Sequence, residues 1–247
     1  LIMALIRSKG SLLTVANTLT LRCDAKQVEP RFLELDALLR QSPTNRLNDY
    51  LPEPFAKGKQ PSYIEDPQDS EYAFVVSTLA VQPLQINSTN CRFTSLEFYK
   101  SVGNARQLKD GDVVLTMDGG TSIGKAAVFD KAKFAASLDI DPEDVYATVD
   151  SHVAILRPRG ISPLALAYLL ASPIGQLQFQ RAESGASGQT AVSEDDVRYF
   201  RFPKFSPTAL EAAVASLQNA LTAANEQVKA AEAQQKAAWA KFETSLG

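Results

Sequence analysis

The sequence predicts an α+β protein: a sheet-based domain followed by a long C-terminal helix that carries a coiled-coil seam. Three observations carry that prediction. Leu108 to Phe129, LKDGDVVLTMDGGTSIGKAAVF, reads as two strands joined by a glycine-rich turn. Ser162-Pro163 and Ser172-Pro173 each put a serine at a cap position and a proline in the first turn of a helix. From Leu210 an apolar 4,3 repeat runs to the end of the chain. The expected organisation is an N-terminal strand and short helix over residues 1–45, the sheet domain over 46–204, and the long helix over 205–247.

Composition sets the class. With 45% hydrophobic and 21% charged residues in 247, the chain has the make-up of an ordinary globular protein able to bury a core. Cys23 and Cys91 stand in no metal-ligand spacing, which points to free thiols in a reducing, cytoplasmic setting. No apolar run approaches the roughly 20 residues that span a bilayer, and Leu1 to Ile6 is too short for a signal peptide, so no membrane association is expected. Beginning on Leu1, the chain reads as a fragment of something longer. A net charge of −3 argues against indiscriminate coating of nucleic acid, because neutralising phosphates takes a basic surface. Residues 46–204 hold 16 Lys and Arg against 20 Asp and Glu, a balance of −4. Any DNA-binding role therefore requires the basic groups to gather on one face and a partner to supply much of the affinity.

In order along the chain, residues 11–21 alternate weakly and suit an edge strand, and Pro30 to Leu39 carries a helical stripe at Leu35, Leu38 and Leu39. From Arg46 to Ser62, four Pro and Gly residues dictate loop, with Lys57 and Lys59 flanking Gly58; these lysines either approach phosphates or are simply solvated. Tyr72 to Ser77 is a strand. Pro83 to Arg106 reads as irregular, and its polar cluster around Asn87, Asn90 and Arg92 suits either base edges or turns. In the central hairpin, Val113 to Leu115 is one strand and Ile123 to Phe129 the other. Adjacent Gly119 and Gly120 supply positive φ at its tip.

Three catalytic or metal motifs present themselves and fail. Gly119, Gly124 and Lys125 mimic P-loop spacing, but Ala126 stands where a P-loop needs a magnesium-holding hydroxyl, and the following residues favour strand. The acidic loop Asp139 to Asp144 lacks the spaced ligands and glycine of an EF-hand. Asp150, Ser151 and the single histidine, His152, are sequence neighbours, whose side chains alternate faces on a strand and do not form a hydrolase triad. No catalytic residue, metal or cofactor is expected. His152 reads as a satisfied sheet residue. Ser184 to Thr190 is a glycine-rich loop in which Gln189 either pairs with an adenine or the loop buttresses the hairpin. Ser193 caps a short acidic helix and Tyr199 to Pro203 is the closing strand.

The final helix places Val214, Leu221, Val228, Gln235 and Phe242 at a, and Leu210, Leu217, Ala224, Ala231 and Ala238 at d. Packing back on its own domain accounts for the first two turns only. No second heptad run of similar length exists, so the stripe needs a second copy, another subunit, or a segment outside this chain.

The run through Leu108, Gly111, Asp112, Leu115, Gly119 or Gly120, Gly124, Lys125 and Ala127 resembles the core of a target recognition domain in specificity (S) subunits of type I restriction-modification systems, with one residue inserted in its turn. The resemblance extends in order over residues 22–247. Arg22, Asp24, Ala25, Pro30, Phe32, Leu33 and Glu34 match the family's lead-in, and Gly58, Pro61 and Ser62 a rim turn. Tyr168 to Gln176 is similar to its helix pair. Ser77-Thr78-Leu79 departs from the family's arginine-bearing turn. The resemblance implies a mixed-sheet, non-catalytic target recognition domain that reads half of a bipartite site in double-stranded DNA. It also implies a helix that docks on a DNA adenine methyltransferase subunit and pairs with a second copy or a second S-type half, in the setting of phage defence. One domain and one helix make this a half-subunit or fragment. Lys57, Lys59, Arg92, Arg106, Lys109 and Lys125 are the candidates for phosphate contacts; Thr121, Ser122, Ser187, Gln189 and Thr190 are those for the base-facing rim. The alternative is a protein-interaction adaptor of the same fold that does not bind DNA.

Overall fold

A computed structural model describes residues 25–67, 71–186 and 189–245. The expected strand over 11–21, the apolar start, Arg22, Cys23, Asp24 and Ser187 lie outside the described residues, as do the side chains of Ala25, Ala186 and Gln189. The chain divides into two compact units, Leu1–Phe205 and Ser206–Gly247.

The first unit opens with α1 (Pro30–Arg40) and β1 (Thr44–Arg46), then lays down β2 (Ala56–Lys57), β3 (Tyr63–Ile64), β4 (Tyr72–Val76), β5 (Val81–Gln82) and β6 (Gln85–Ile86). Next come β7 (Arg92–Ser95), α2 (Leu96–Ser101), β8 (Val113–Thr116), β9 (Ala126–Val128), α3 (Lys131–Ala136), β10 (Ala147–Val149) and β11 (Val153–Leu156). The unit closes with α4 (Pro163–Ala171), α5 (Pro173–Ala182), the hairpin β12 (Ser184–Ala186) and β13 (Gln189–Ala191), α6 (Glu194–Arg198) and β14 (Arg201–Pro203). One four-stranded sheet, in the order β2-β11-β8-β9, is antiparallel throughout. The other, β10-β4-β7-β3, is mixed because β10 runs parallel to β4. Phe74, Val76, Val114, Ala127, Phe129, Phe134, Val149 and Ile155 form one buried cluster that joins the two sheets. Every residue of β8 and β11 is buried, which is why both read as unbroken apolar runs rather than as alternation.

Several local expectations are corrected by packing. The second hairpin strand begins at Ala126, not Ile123, because Gly124 adopts φ +83° with the Phe179 ring against it; a Cβ there would sit 2.7 Å from that ring. Leu38 is 43% exposed, while Phe32, Leu35 and Leu39 fill the core. At 3.6 residues per turn, Leu38 lies about 60° outside the sector those three define. The supposedly irregular stretch before Arg106 contains β7, whose polar Arg-Phe-Thr-Ser sequence hid a strand lying between β4 and β3. Tyr146 to Pro158 is two strands in different sheets. The Asp150 carboxylate accepts the His152 backbone N–H at 2.9 Å and turns the chain between them, so His152 is an exposed corner residue and not a sheet residue.

The helix caps follow the serines. Ser162, Ser172 and Ser193 accept backbone N–H bonds from Ala165, Gly175 and Asp196 at 3.0, 3.1 and 3.1 Å. Gly175 permits the tight join of α4 to α5, since a Cβ there would lie 2.4 Å from the Leu169 carbonyl oxygen. Residues 25–45 belong to the same unit as the sheets, with β1 paired to β14.

The second unit is one helix, α7 (Pro207–Thr244), of 38 residues and about 57 Å at 1.5 Å per residue, capped by Ser206. Val214 is buried, whereas residues 215–245 are all exposed, among them Leu217, Leu221, Ala224, Val228, Ala231, Ala238 and Phe242 of the seam.

One buried ion pair ties the front of the first unit to its back. Arg181 on α5 donates to both carboxylate oxygens of Asp36 on α1, at 2.9 and 3.0 Å, and to the Gln27 side chain at 3.1 Å. Both charged groups are buried, so truncating one strands the other in a low-dielectric interior. Asp36→Ala is expected to destabilise the chain by about 3–5 kcal/mol in chemical denaturation; a loss under about 1 kcal/mol would mean the pair is solvated.

Candidate nucleic-acid interface

The site is organised by the segment from Ala56 to Ile64, which serves as an edge of both sheets. It pairs with β11 at Ala56 and Lys57, and the Gly58 N–H donates to the Val153 carbonyl at 3.0 Å. It then passes over the end of β10, where a Cβ on residue 58 would stand 2.2 Å from the carbonyl oxygens of both Val149 and Asp150. Only glycine allows so close a crossing. Beyond it, the Ser151 hydroxyl donates to Gln60 Oε1 at 3.0 Å and the Thr94 hydroxyl to the Ser62 carbonyl at 2.9 Å. Tyr63 and Ile64 then join β7.

Four of the expected basic residues fall along this segment. Lys57 and Lys59 are exposed on it. Arg106 Nε donates to the Lys57 carbonyl at 2.9 Å, which brings the guanidinium to the same strip. Arg92, on β7, lies over the Tyr63 ring with its guanidinium carbon 3.2 Å from the ring centroid.

The corner beside Lys57 holds the glycine-rich loop. Asp118 Oδ2 stands 2.8 Å from Lys57 Nζ and 3.3 Å from His152 Nδ1, so one carboxylate oxygen faces two basic groups. Gly119 N–H donates to the Thr190 carbonyl at 3.1 Å, Asp118 bridges to Ala191, and Val192 N–H donates to the Met117 carbonyl at 2.9 Å. On the other flank, Gln176 Nε2 donates to the Gly124 carbonyl at 3.0 Å. The loop is therefore braced on both sides, and β13 of the β12–β13 hairpin buttresses it. Thr190 itself gives its hydroxyl to Glu183, and that bond, more than the Lys26 ammonium, holds the Glu183 carboxyl below its ordinary range. Thr121 is exposed at the crest, Ser122 accepts the Thr116 hydroxyl on its carbonyl, and Lys125 is half-buried where the loop enters β9.

Lys109 is not brought to this corner. It sits in the turn before β8, at the opposite end of that strand from the glycine-rich loop; its N–H donates to Asp112 at 2.9 Å, and Asp112 in turn holds Arg157 at 2.8 Å. Two of the rejected motifs meet a different local geometry. Lys125 leads into a strand, not a helix. Ser151 gives its hydroxyl to Gln60, away from His152. Among the described residues no group of His, Cys, Asp and Glu is arranged to hold a metal ion. Asp118 and Tyr63, which organise the two ends of the strip, were not singled out in the sequence. The first lies in an Asp-Gly-Gly run that signals only a turn, and the second in a proline-flanked loop.

Behind the corner, Asp150 is buried. Burial pushes its carboxyl above the ordinary 3.8, with Asp118 adding repulsion, while the His152 and Val153 backbone N–H groups and the His152 ring oppose the shift. A raised carboxyl pKa means the folded state holds its proton longer than the unfolded chain. Stability from this group is thus present below about pH 3.8 and lost as pH climbs through the folded value. Asp150→Asn keeps the acceptor for His152 N–H and removes the ionisation. It is expected to raise the melting temperature at pH 7 and to flatten the slope of stability above pH 3.8; an unchanged slope would show Asp150 to be hydrated.

No protein-family model matches the sequence, and no curated protein matches it. Among solved structures, the chain is similar to one described as "Structural basis underlying complex assembly and conformational transition of the type I R-M system", at 16% identity and a TM-score of 0.47, over 93% of this chain and 53% of that one. It is also similar to the HsdS subunit from Thermoanaerobacter tengcongensis, at 15% identity and a TM-score of 0.44, over 76% of this chain and 42% of that one. The chain spans about half the length of these solved chains.

Proposed function

We propose that this chain is a non-catalytic DNA sequence-recognition protein of the type I specificity-subunit kind. Its sheet unit reads one half of a bipartite duplex site, and its long helix docks an adenine methyltransferase subunit and pairs with a second recognition half. The observation that carries the reading is the gathering of Lys57, Lys59, Arg92 and Arg106 along one glycine-dependent segment, in a chain whose overall charge is −3. Concentration on one strip is what an acidic protein needs if it is to meet phosphates. The braced loop at Gly119 to Ser122 then offers exposed Thr121 beside that strip, in a backbone already ordered, so little entropy is lost on contact.

The helix supports the pairing part of the reading. Leu217, Leu221, Val228 and Phe242 are exposed on one seam, and a helix with such a stripe is stable only when covered. Laid antiparallel on a second copy about residue 226, the exposed inner layers set a large side chain against a small or unbranched one, Leu221 on Ala231, Val228 on Ala224 and Leu217 on Gln235, with Leu210 meeting Phe242 at the two ends. A parallel pair instead stacks alanine on alanine at three d positions and leaves gaps there. The methyltransferase partner and the cytoplasmic setting belong to the same proposal.

Asp118 sets the terms of binding. Its ion pair with Lys57 is exposed on the lysine side and is weak enough for a phosphate to replace. Titrating a duplex bearing the cognate site with the full chain and its partner, at several salt concentrations, tests the reading. Lys57→Ala and Lys125→Ala are each expected to weaken binding several-fold and to reduce the salt slope by about one. Lys109→Ala, at the far end of β8, is expected to change neither. Equal losses at all three positions, or no salt-dependent binding by the parent chain, would favour the adaptor alternative.

A further inference from the structure

Arg92 is held differently from the arginines that face acids. Among the described residues Arg31, Arg157, Arg159, Arg181, Arg198 and Arg201 each pair with a carboxylate. Arg92 forms no ion pair among the described residues; it is exposed and rests on the face of Tyr63. Stacking on an aromatic ring fixes the plane of a guanidinium without using its N–H groups, so the in-plane donor edge stays available in a set direction. A phosphate contact needs only positive charge, and a lysine serves as well. A planar fork held in place is what bidentate hydrogen bonding to the O6 and N7 of guanine requires.

The backbone puts this fork within a duplex footprint of the corner. Arg92 pairs with Val75 on β4, and β4 in turn pairs with β10, whose end at Val149 adjoins the corner at Asp150. Two strand spacings of about 4.8 Å separate Arg92 from Thr148, and the corner at Asp150 lies two residues further along at about 3.3 Å each, which makes roughly 12 Å in all. That is between three and four base-pair rises of about 3.4 Å. Tyr63 belongs to β3, the outermost strand of its sheet, so the stack lies on a rim and not in a groove between strands.

We infer that Arg92, oriented by Tyr63, is a specificity-determining residue that reads one guanine of the recognition half-site, about three to four base pairs from the phosphates met at the Lys57 corner. The inference rests on the DNA-recognition reading and adds to it a single base identity and the residue responsible. It also separates Arg92 from Lys57, Lys59 and Lys125, whose contacts are sequence-blind.

Selection from a random duplex library by the full chain, purified with whatever polypeptide its helix retains, tests this directly. Parent, Arg92→Lys, Tyr63→Leu and Lys59→Gln are compared, with thermal melts to confirm that each variant is folded. Arg92→Lys keeps the charge and loses the fork, and is expected to relax discrimination at one G·C position by about 10- to 100-fold while leaving the other positions and the salt slope unchanged. Tyr63→Leu is expected to relax the same position to a smaller extent, and Lys59→Gln to weaken all sequences alike. An unchanged preference in folded Arg92→Lys overturns the inference and leaves the DNA reading standing; so does a relaxed preference at a position where Tyr63→Leu has no effect. A parent chain that enriches no sequence overturns the DNA reading itself.

Discussion

The close crossing of residue 58 over the end of β10 is the constraint on which the site depends. Both sheets take an edge from the one segment that makes this crossing, and a side chain at residue 58 would occupy the space of two carbonyl oxygens. With glycine there, Lys57 and Lys59 flank the crossing and Tyr63 follows further along the same segment, where it joins β7. Without the crossing, the antiparallel sheet and the mixed sheet would share a core but not an edge. Arg92 and Arg106 would then have no common line with the lysines.

Electrostatics divide the basic residues into two populations. Arg181 and Arg157 are held by buried Asp36 and Asp112 and serve the fold. Lys57 is held by a carboxylate with solvent beside it, Arg92 by an aromatic face and Arg106 by a backbone carbonyl, and these holds are the kind an incoming phosphate or base can replace or leave in place at small cost. A net count of charge misses this division. It explains how a chain of net charge −3 still presents a basic strip.

Much of the fold was legible because local rules and packing agree. Serine followed by proline marked the starts of α4 and α5, unbroken apolar runs marked β8 and β11, and the heptad period marked α7. What was not legible was set by contacts distant in sequence. β7 is a polar tetrapeptide that is a strand only because β4 and β3 flank it, and His152 stands at a corner because Asp150 captures its backbone N–H. The site was legible as a set of residue types and not as a geometry. Lys57, Arg92 and Arg106 are plain in the sequence, whereas their common line comes from Gly58, and the carboxylate that competes for Lys57 comes from a turn whose aspartate carried no signal of its own. Lys109 shows the converse: it shares a motif with Lys125, yet β8 stands between them.

Hydrogen exchange of the chain with its partner, with and without duplex DNA, tests the account most directly. Slowed exchange is expected over residues 56–64, 117–125 and 150–153 when DNA is added, with the turn at 109–112 unaffected. Protection confined to 109–112, or none in the sheet unit at all, would contradict the claim that the strip organised by residue 58 is where DNA is read.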